Sequence, residues 1–170
     1  LIEAAKILST KNIPIKFVIC GSGDKLEYCK ESSKNVRNFL LPGFINQAQM
    51  QALMMISSLG VVPYKSSLNF SNSYPNKSIE YLAGGLPILS GLDGLLKDLI
   101  KAKQCGIHYE HGKAEQLVSI LLEIKEKDKS FLEGMKNNAQ LLYAEKFQTN
   151  QVYGRYCQHI INTIGEFKYK

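Results

Sequence analysis

The chain has 170 residues, 45% of them hydrophobic, and a net charge of +6. That is enough apolar material for one domain with a core of its own and too little for two. No run of eighteen apolar residues occurs, which argues against a membrane-spanning helix, and the first residues lack the basic-then-apolar layout of a secretory leader, so the expected location is cytoplasmic.

A basic balance can serve nucleic acid, an anionic membrane or a phosphorylated ligand. The lysines here are scattered, Arg37 and Arg155 are the only arginines, and no aromatic-interleaved basic stripe is present, which argues against nucleic-acid readout. Cys20, Cys29, Cys105 and Cys157 show no Cys-x-x-Cys spacing and read as reduced core filler. Cys105, His108 and His111 are spaced by three, but alternate faces of a strand and the lack of a fourth ligand argue against zinc. The reading calls for no metal and no cofactor.

In chain order, Ile2 to Leu8 is patterned as an amphipathic helix, already in mid-pattern at Leu1 with no cap before it, so the chain reads as part of a longer protein. Ile15 to Cys20 is a continuous apolar strand of the kind buried on both faces of a parallel sheet. It leads into Gly21-Ser22-Gly23-Asp24 and a helix from about Lys25 to Ser32. A glycine turn at the carboxyl end of a buried strand is where ligands approach open α/β sheets. It is not a dinucleotide fingerprint, since Leu26 stands where the third glycine belongs; on its own it is either a close-approach site or only a tight turn.

Asn35 to Leu41 reads as a short strand closed by Pro42-Gly43. Gln47 to Ser57 reads as an apolar helix whose Met50, Leu53 and Met54 pack the core. A strand from Leu59 to Pro63 then ends in a polar loop. After the stretch described next, Pro87 to Ser90 is a strand, Gly91 to Gly94 a flexible loop, Leu95 to Ala102 a helix and Cys105 to Tyr109 a strand. Helices follow from Gly112 to about Ile124, from Lys129 to Phe147, and from Gln151 to about Ile164. Strand and helix alternate about five times, the pattern of an α/β, doubly wound, Rossmann-like parallel sheet over roughly residues 1–124, with C-terminal helices over 125–170.

Ser71 to Ser90 organises the rest. Pro75 suits the first turn of a helix, Ile79, Leu82 and Ala83 recur at helical spacing, and Gly84-Gly85 supplies a left-handed stop before the strand at Pro87. The first amides of a helix are unpaired and carry partial positive charge, so they suit a phosphate, and Lys77 adds a full charge there. Asn76 and Glu80 lie four apart on one face, so a carboxylate able to accept two hydrogen bonds from a ribose diol stands one turn behind. The same residues also read as a plain surface helix with a Lys77/Glu80 pair.

Pro-Asn-Lys-Ser-Ile-Glu-Tyr-Leu-Ala-Gly-Gly-Leu-Pro-Ile-Leu, from Pro75 to Leu89, resembles the signature of bacterial group 1, family 4 glycosyltransferases, which have the GT-B fold. The likeness runs from Ile15 to about Ile124, taking in the Gly21-Ser22-Gly23-Asp24 turn, Leu41-Pro42-Gly43-Phe44-Ile45 and Cys105 to Tyr109. It implies the C-terminal, donor-binding half of such an enzyme, with the N-terminal acceptor half outside this sequence. The substrate it implies is a UDP- or GDP-sugar, transferred with retention to a saccharide or lipid-linked acceptor by an enzyme that can associate peripherally with a membrane. Glu80 matches the second glutamate of the family's Glu-x7-Glu motif, the one that holds the ribose. The first falls on Asn72, a departure that touches the contact to the transferred sugar. The resemblance therefore implies catalytic positions at Asn72 and Lys77, and donor binding at Gly21, Gly23, Phe44, Ile45, Asn76, Lys77 and Glu80. A GT-B epimerase and a non-catalytic nucleotide-binding module remain the alternatives.

Overall fold

The computed structural model describes residues 1–167; residues 168–170, the end of the predicted C-terminal helical segment, lie outside the described residues. The elements run α1 (Ile2–Thr10), β1 (Phe17–Cys20), α2 (Leu26–Ser33), β2 (Phe39–Gly43), α3 (Gln47–Ile56), β3 (Gly60–Val62), α4 (Leu68–Ser71), α5 (Asn76–Ala83), β4 (Ile88–Ser90), α6 (Leu95–Lys103), β5 (Gly106–His108), α7 (Ala114–Glu126) and α8 (Lys129–Leu142). A π-turn (Tyr143–Phe147) and α9 (Thr149–Phe167) complete the order. All strand pairs among the described residues are parallel, as the alternation of strand and helix predicts.

The strands β1 to β5 form two ladders, β1–β2 and β3–β4–β5. Their alternating side chains feed two cores. Leu89, with Phe17 and Phe39, packs under α1 and α7 through Ala4, Ala5, Leu8, Leu117, Val118 and Leu121. Its neighbour Ile88 points the other way, with Val62, into Leu82 of α5, Leu96 and Ile100 of α6 and Ala139 and Leu142 of α8. Helices therefore cover both faces, which is the doubly wound arrangement, and β4, like β3 with Val61 and Val62, sends side chains to both.

Several boundaries move for local reasons. β2 starts only at Phe39 because the backbone just before it is spent on turns: the Val36 amide donates to the Ser33 carbonyl and the Phe39 amide to the Val36 carbonyl. It then runs through Pro42, where the register slips between Val18 and Cys20 of β1; a bulge on an outer strand accommodates a residue that has no N–H to give. The predicted helix Lys129 to Phe147 is instead α8 followed by the π-turn, closed by the Gln148 amide donating to the Tyr143 carbonyl at 2.9 Å.

Two packing expectations fail. α3 buries none of its residues fully: Met50, Leu53 and Met54, expected to pack the core, are only half-buried, with Met54 against Gly84, and Met55 and Ile56 are 86% and 83% exposed. Of the four cysteines only Cys105 is buried, and Cys157 is exposed on α9. α9 itself carries an exposed apolar stripe, Tyr153, Tyr156, Ile160, Ile161 and Ile164, at helical spacing.

Candidate functional site

α5 begins at Asn76 with Pro75 as its N-cap, and no side chain caps it. The first amides, from Asn76 and Lys77, precede any carbonyl four residues back and so face outward from the helix end. The helix ends as its two glycines predict: Gly85 adopts φ +63°, its amide donates to the Leu82 carbonyl, and the Leu86 amide donates to the Tyr81 carbonyl, the double bond of a left-handed stop. Lys77 donates to Glu80 at 2.7 Å, and the two side chains are 41% and 46% exposed. Asn76 and Glu80 share one exposed face, one turn apart.

At the carboxyl end of β1, Gly21 takes φ +146°, a conformation that L side chains rarely adopt, and its amide donates to the Gly43 carbonyl at 2.8 Å. That bond sets the Gly21–Gly23 turn beside Phe44 and Ile45; Phe44 is 79% exposed and Ile45 half-buried. A Cβ at Gly21 or Gly23 would meet nothing within 4 Å, so the backbone of the turn borders open space. Burial pushes the Cys20 thiol up and the Lys77 ammonium opposes it. The structure thus brings the Gly21 turn and the start of the Phe44 loop together at the carboxyl end of β1 and β2. Asn72 caps the end of α4, exposed, separated from α5 by the Ser73–Pro75 turn.

Three structural features escape sequence reasoning. α4 replaces part of a predicted loop, nucleated by Ser67, whose hydroxyl accepts from the Phe70 amide. The Tyr81 ring occupies the space that a Cβ on Gly60 would need, 2.4 Å from its Cδ2, so α5 lies directly on β3; burial first, then the nearby Tyr64, Glu80 and Cys20, push the Tyr81 hydroxyl up to about 12. The glycine at position 60, opposite an aromatic residue, is the only trace of this contact in the sequence.

The third is the Gly91–Gly94 loop, which is anchored and not flexible. Gly91 and Leu92 are buried, the Ser90 hydroxyl accepts from the Leu92 amide, and the Asp93 amide donates to the Ser66 hydroxyl. Gly94, at φ +84°, lies so close to α4 that a Cβ would stand 2.2 Å from the Ser71 carbonyl oxygen. Asp93 accepts from Lys97 at 2.8 Å and faces His108 Nε2 at 3.5 Å. Burial lowers the pKa of His108, helped by Lys97 and opposed by Asp93, the Leu92 backbone and Glu110.

A histidine with a depressed folded pKa binds fewer protons in the folded than in the unfolded state, so its contribution is intact above about 6.5 and is lost as pH falls through that value toward the folded pKa. The urea midpoint should therefore drop more between pH 7.5 and 5.5 in the parent than in His108→Asn. Equal drops in the two proteins would exclude His108 as the source. Among the described residues no three His, Cys, Asp or Glu side chains come together in a way that could hold a metal ion.

The family described as "Glycosyl transferases group 1" matches residues 1–142. No curated protein matches the chain. Among solved structures, the chain is similar to the C-terminal domain of a glycosyl transferase group 1 family protein, LpcC, from Francisella tularensis (17% identity over 87% of this chain and 77% of that one, TM-score 0.70). It is also similar to a glycosyltransferase from Rickettsia africae (17% identity, 93% of this chain and 42% of that one, TM-score 0.73). A third is Anabaena Alr3699/HepE, solved in complex with UDP and glucose (16% identity, 92% and 43%, TM-score 0.72). The chain spans well under half the length of these last two. At such identities the structures speak for the fold, and the family match over residues 1–142 speaks for membership: the chain belongs to the group 1 glycosyl transferases.

Proposed function

We propose that this chain is the donor-binding half of a GT-B glycosyltransferase. It holds a UDP- or GDP-sugar and passes the sugar, with retention at the anomeric carbon, to a saccharide or lipid-linked acceptor bound mainly by the rest of the polypeptide. The enzyme works on the cytoplasmic side, at the inner face of a membrane, in polysaccharide assembly. The observation that carries the reading is the meeting of Gly21–Gly23 and Gly43–Ile45 at the carboxyl ends of β1 and β2, where open α/β sheets take ligands, together with the uncapped start of α5 at Asn76. That Anabaena HepE was solved with UDP and glucose supports a nucleoside diphosphate sugar as the ligand class.

The chemistry asked of these residues is electrostatic. As the bond from the anomeric carbon to the diphosphate breaks, negative charge gathers on the leaving phosphate, and preset donors aimed at it lower the barrier. In this reading the Asn76 and Lys77 amides and the Lys77 ammonium supply them, while Glu80 accepts from the ribose hydroxyls. Entry of the donor exchanges partners: Lys77 leaves Glu80 for phosphate, and Glu80 turns to the ribose. The Gly21–Gly23 backbone borders the diphosphate with no side chain between, and the main chain at Phe44 and Ile45 faces the base. Asn72 both donates to and accepts from a sugar hydroxyl without charge, so transfer survives the departure from glutamate with a different sugar preference.

The test is a thermal-shift series with UDP, GDP, ADP and CMP on the polypeptide in its full natural length. UDP or GDP should raise the midpoint, since a ligand that binds only the native state stabilises it by about 2.7 kcal/mol at a hundredfold excess over Kd. No shift with any of the four would remove the nucleotide site. Binding without release of UDP from UDP-glucose or GDP from GDP-mannose, with acceptor saccharides present, would favour a non-catalytic module.

A further inference from the structure

The two positions of the family motif are held by different anchors. α5 fixes its own start: the Pro75 carbonyl oxygen accepts from the Ser78 amide at 2.8 Å and from the Ser78 hydroxyl at 2.6 Å, and both residues are buried. These bonds order Asn76, Lys77 and Glu80 from within the helix, and α8 backs it through Ala139 and Leu142 against Leu82. The turn that carries Asn72 is different. The Asn72 amide and the Ser73 hydroxyl donate back to the Leu68 and Asn69 carbonyls of α4, a four-residue helix with no buried residue.

Gly94 backs α4 at Ser71, and the side chain that ties the turn itself to the core is Tyr74. Its ring is half-buried and meets Phe147 edge to face, centroids 5.5 Å apart at an interplanar angle of 81°, inside the preferred range for aromatic pairs. Phe147 is the last residue of the π-turn, whose packing against the core below α5 includes Tyr143. A single π-turn inserts one residue into helical register and recurs at functional sites. Here Phe147 meets Tyr74 from the end of that turn, where α8 gives way to α9.

We infer that Tyr74 and Phe147 form a positioning clamp for the Asn72 turn, so that their contact sets the sugar side of the donor site and leaves the nucleotide side to α5. The inference rests on the reading of Asn72 given above. Both residues act through Asn72 and touch no reacting atom.

The experiment compares Phe147→Leu, Phe147→Tyr, Tyr74→Leu and Asn72→Ala in the full natural polypeptide, with UDP-glucose and GDP-mannose as donors and UDP and GDP affinity measured separately. Phe147→Leu and Tyr74→Leu should lower kcat roughly tenfold or more, since a displacement of about 1 Å at a positioned group can cost on the order of a hundredfold. Nucleotide affinity should stay within about twofold, and Phe147→Tyr, which keeps the ring, should restore kcat. A kcat unchanged in Phe147→Leu but lowered in Asn72→Ala overturns the clamp alone. A kcat unchanged in both overturns the reading of Asn72. Equal loss of kcat and nucleotide affinity makes Phe147 a support of the whole domain and also overturns the clamp. A readout independent of turnover is fluorine NMR with 3-fluorotyrosine in place of Tyr74: its line should be displaced by the Phe147 ring and revert in Phe147→Leu, and an unmoved line overturns the contact.

Discussion

Glu80→Gln should lower the affinity of the full-length protein for its nucleotide by about 1.5–3 kcal/mol, or roughly ten- to 150-fold, the range for a hydrogen bond to a charged group. Folding should hardly change. Among the described residues the side-chain partner of Glu80 is Lys77, three residues away, and both side chains are more than two-fifths exposed; a pair of that kind contributes a few tenths of a kcal/mol and is screened by salt. The two magnitudes separate the readings: a surface helix residue shows the small effect in unfolding and none in binding, whereas a ribose ligand shows the reverse. Titration calorimetry giving one affinity for both proteins would return Glu80 to the surface.

Gly94→Ala should damage both stability and transfer. Gly94 combines φ +84° and ψ −144°, a region that costs a residue with a side chain about 1–3 kcal/mol, with a Cβ position 2.2 Å from the backbone oxygen of Ser71. Since the obstacle is main chain, α4 has to move, and Asn72 moves with it. Gly112 supplies the control: it has φ +83°, but a Cβ there meets nothing within 4 Å, so Gly112→Ala bears only the conformational cost. Urea unfolding should rank Gly94→Ala as the more destabilised of the two, and release of nucleotide from UDP-glucose or GDP-mannose should fall in Gly94→Ala alone. If Gly112→Ala lost as much stability and activity, the contact with Ser71 would have no bearing on the site.

What could be read from the sequence is what depends on neighbours along the chain. Apolar runs ending in glycine locate β1 and its turn, and Pro75 with Gly84-Gly85 brackets α5 within a residue, because caps and stops are local events. The features that escaped are meetings of residues far apart in sequence: Tyr81 on Gly60, Gly94 on Ser71, His108 facing Asp93, Phe147 on Tyr74. No periodicity announces them. α3 shows the opposite error, since Met50, Leu53 and Met54 follow a core-like helical pattern but stay half-buried because the helix sits at the rim. The family resemblance placed the candidate residues, and the fold shows which of them share an edge.

The sharing of β4 between two cores bears on the order in which the chain can assemble. The chain is synthesised from its N-terminal end, and the residues of the face built on Leu89 are all present once α7 ends at Glu126. The opposite face waits longer, because Ala139 and Leu142, which seal Leu82 of α5 from behind, are made later. A nascent chain that has already emitted its whole donor motif still lacks the wall that steadies it, so premature termination between Glu126 and Leu142 leaves a half-covered sheet with Leu82, Ile88 and Leu96 open to chaperones and proteases.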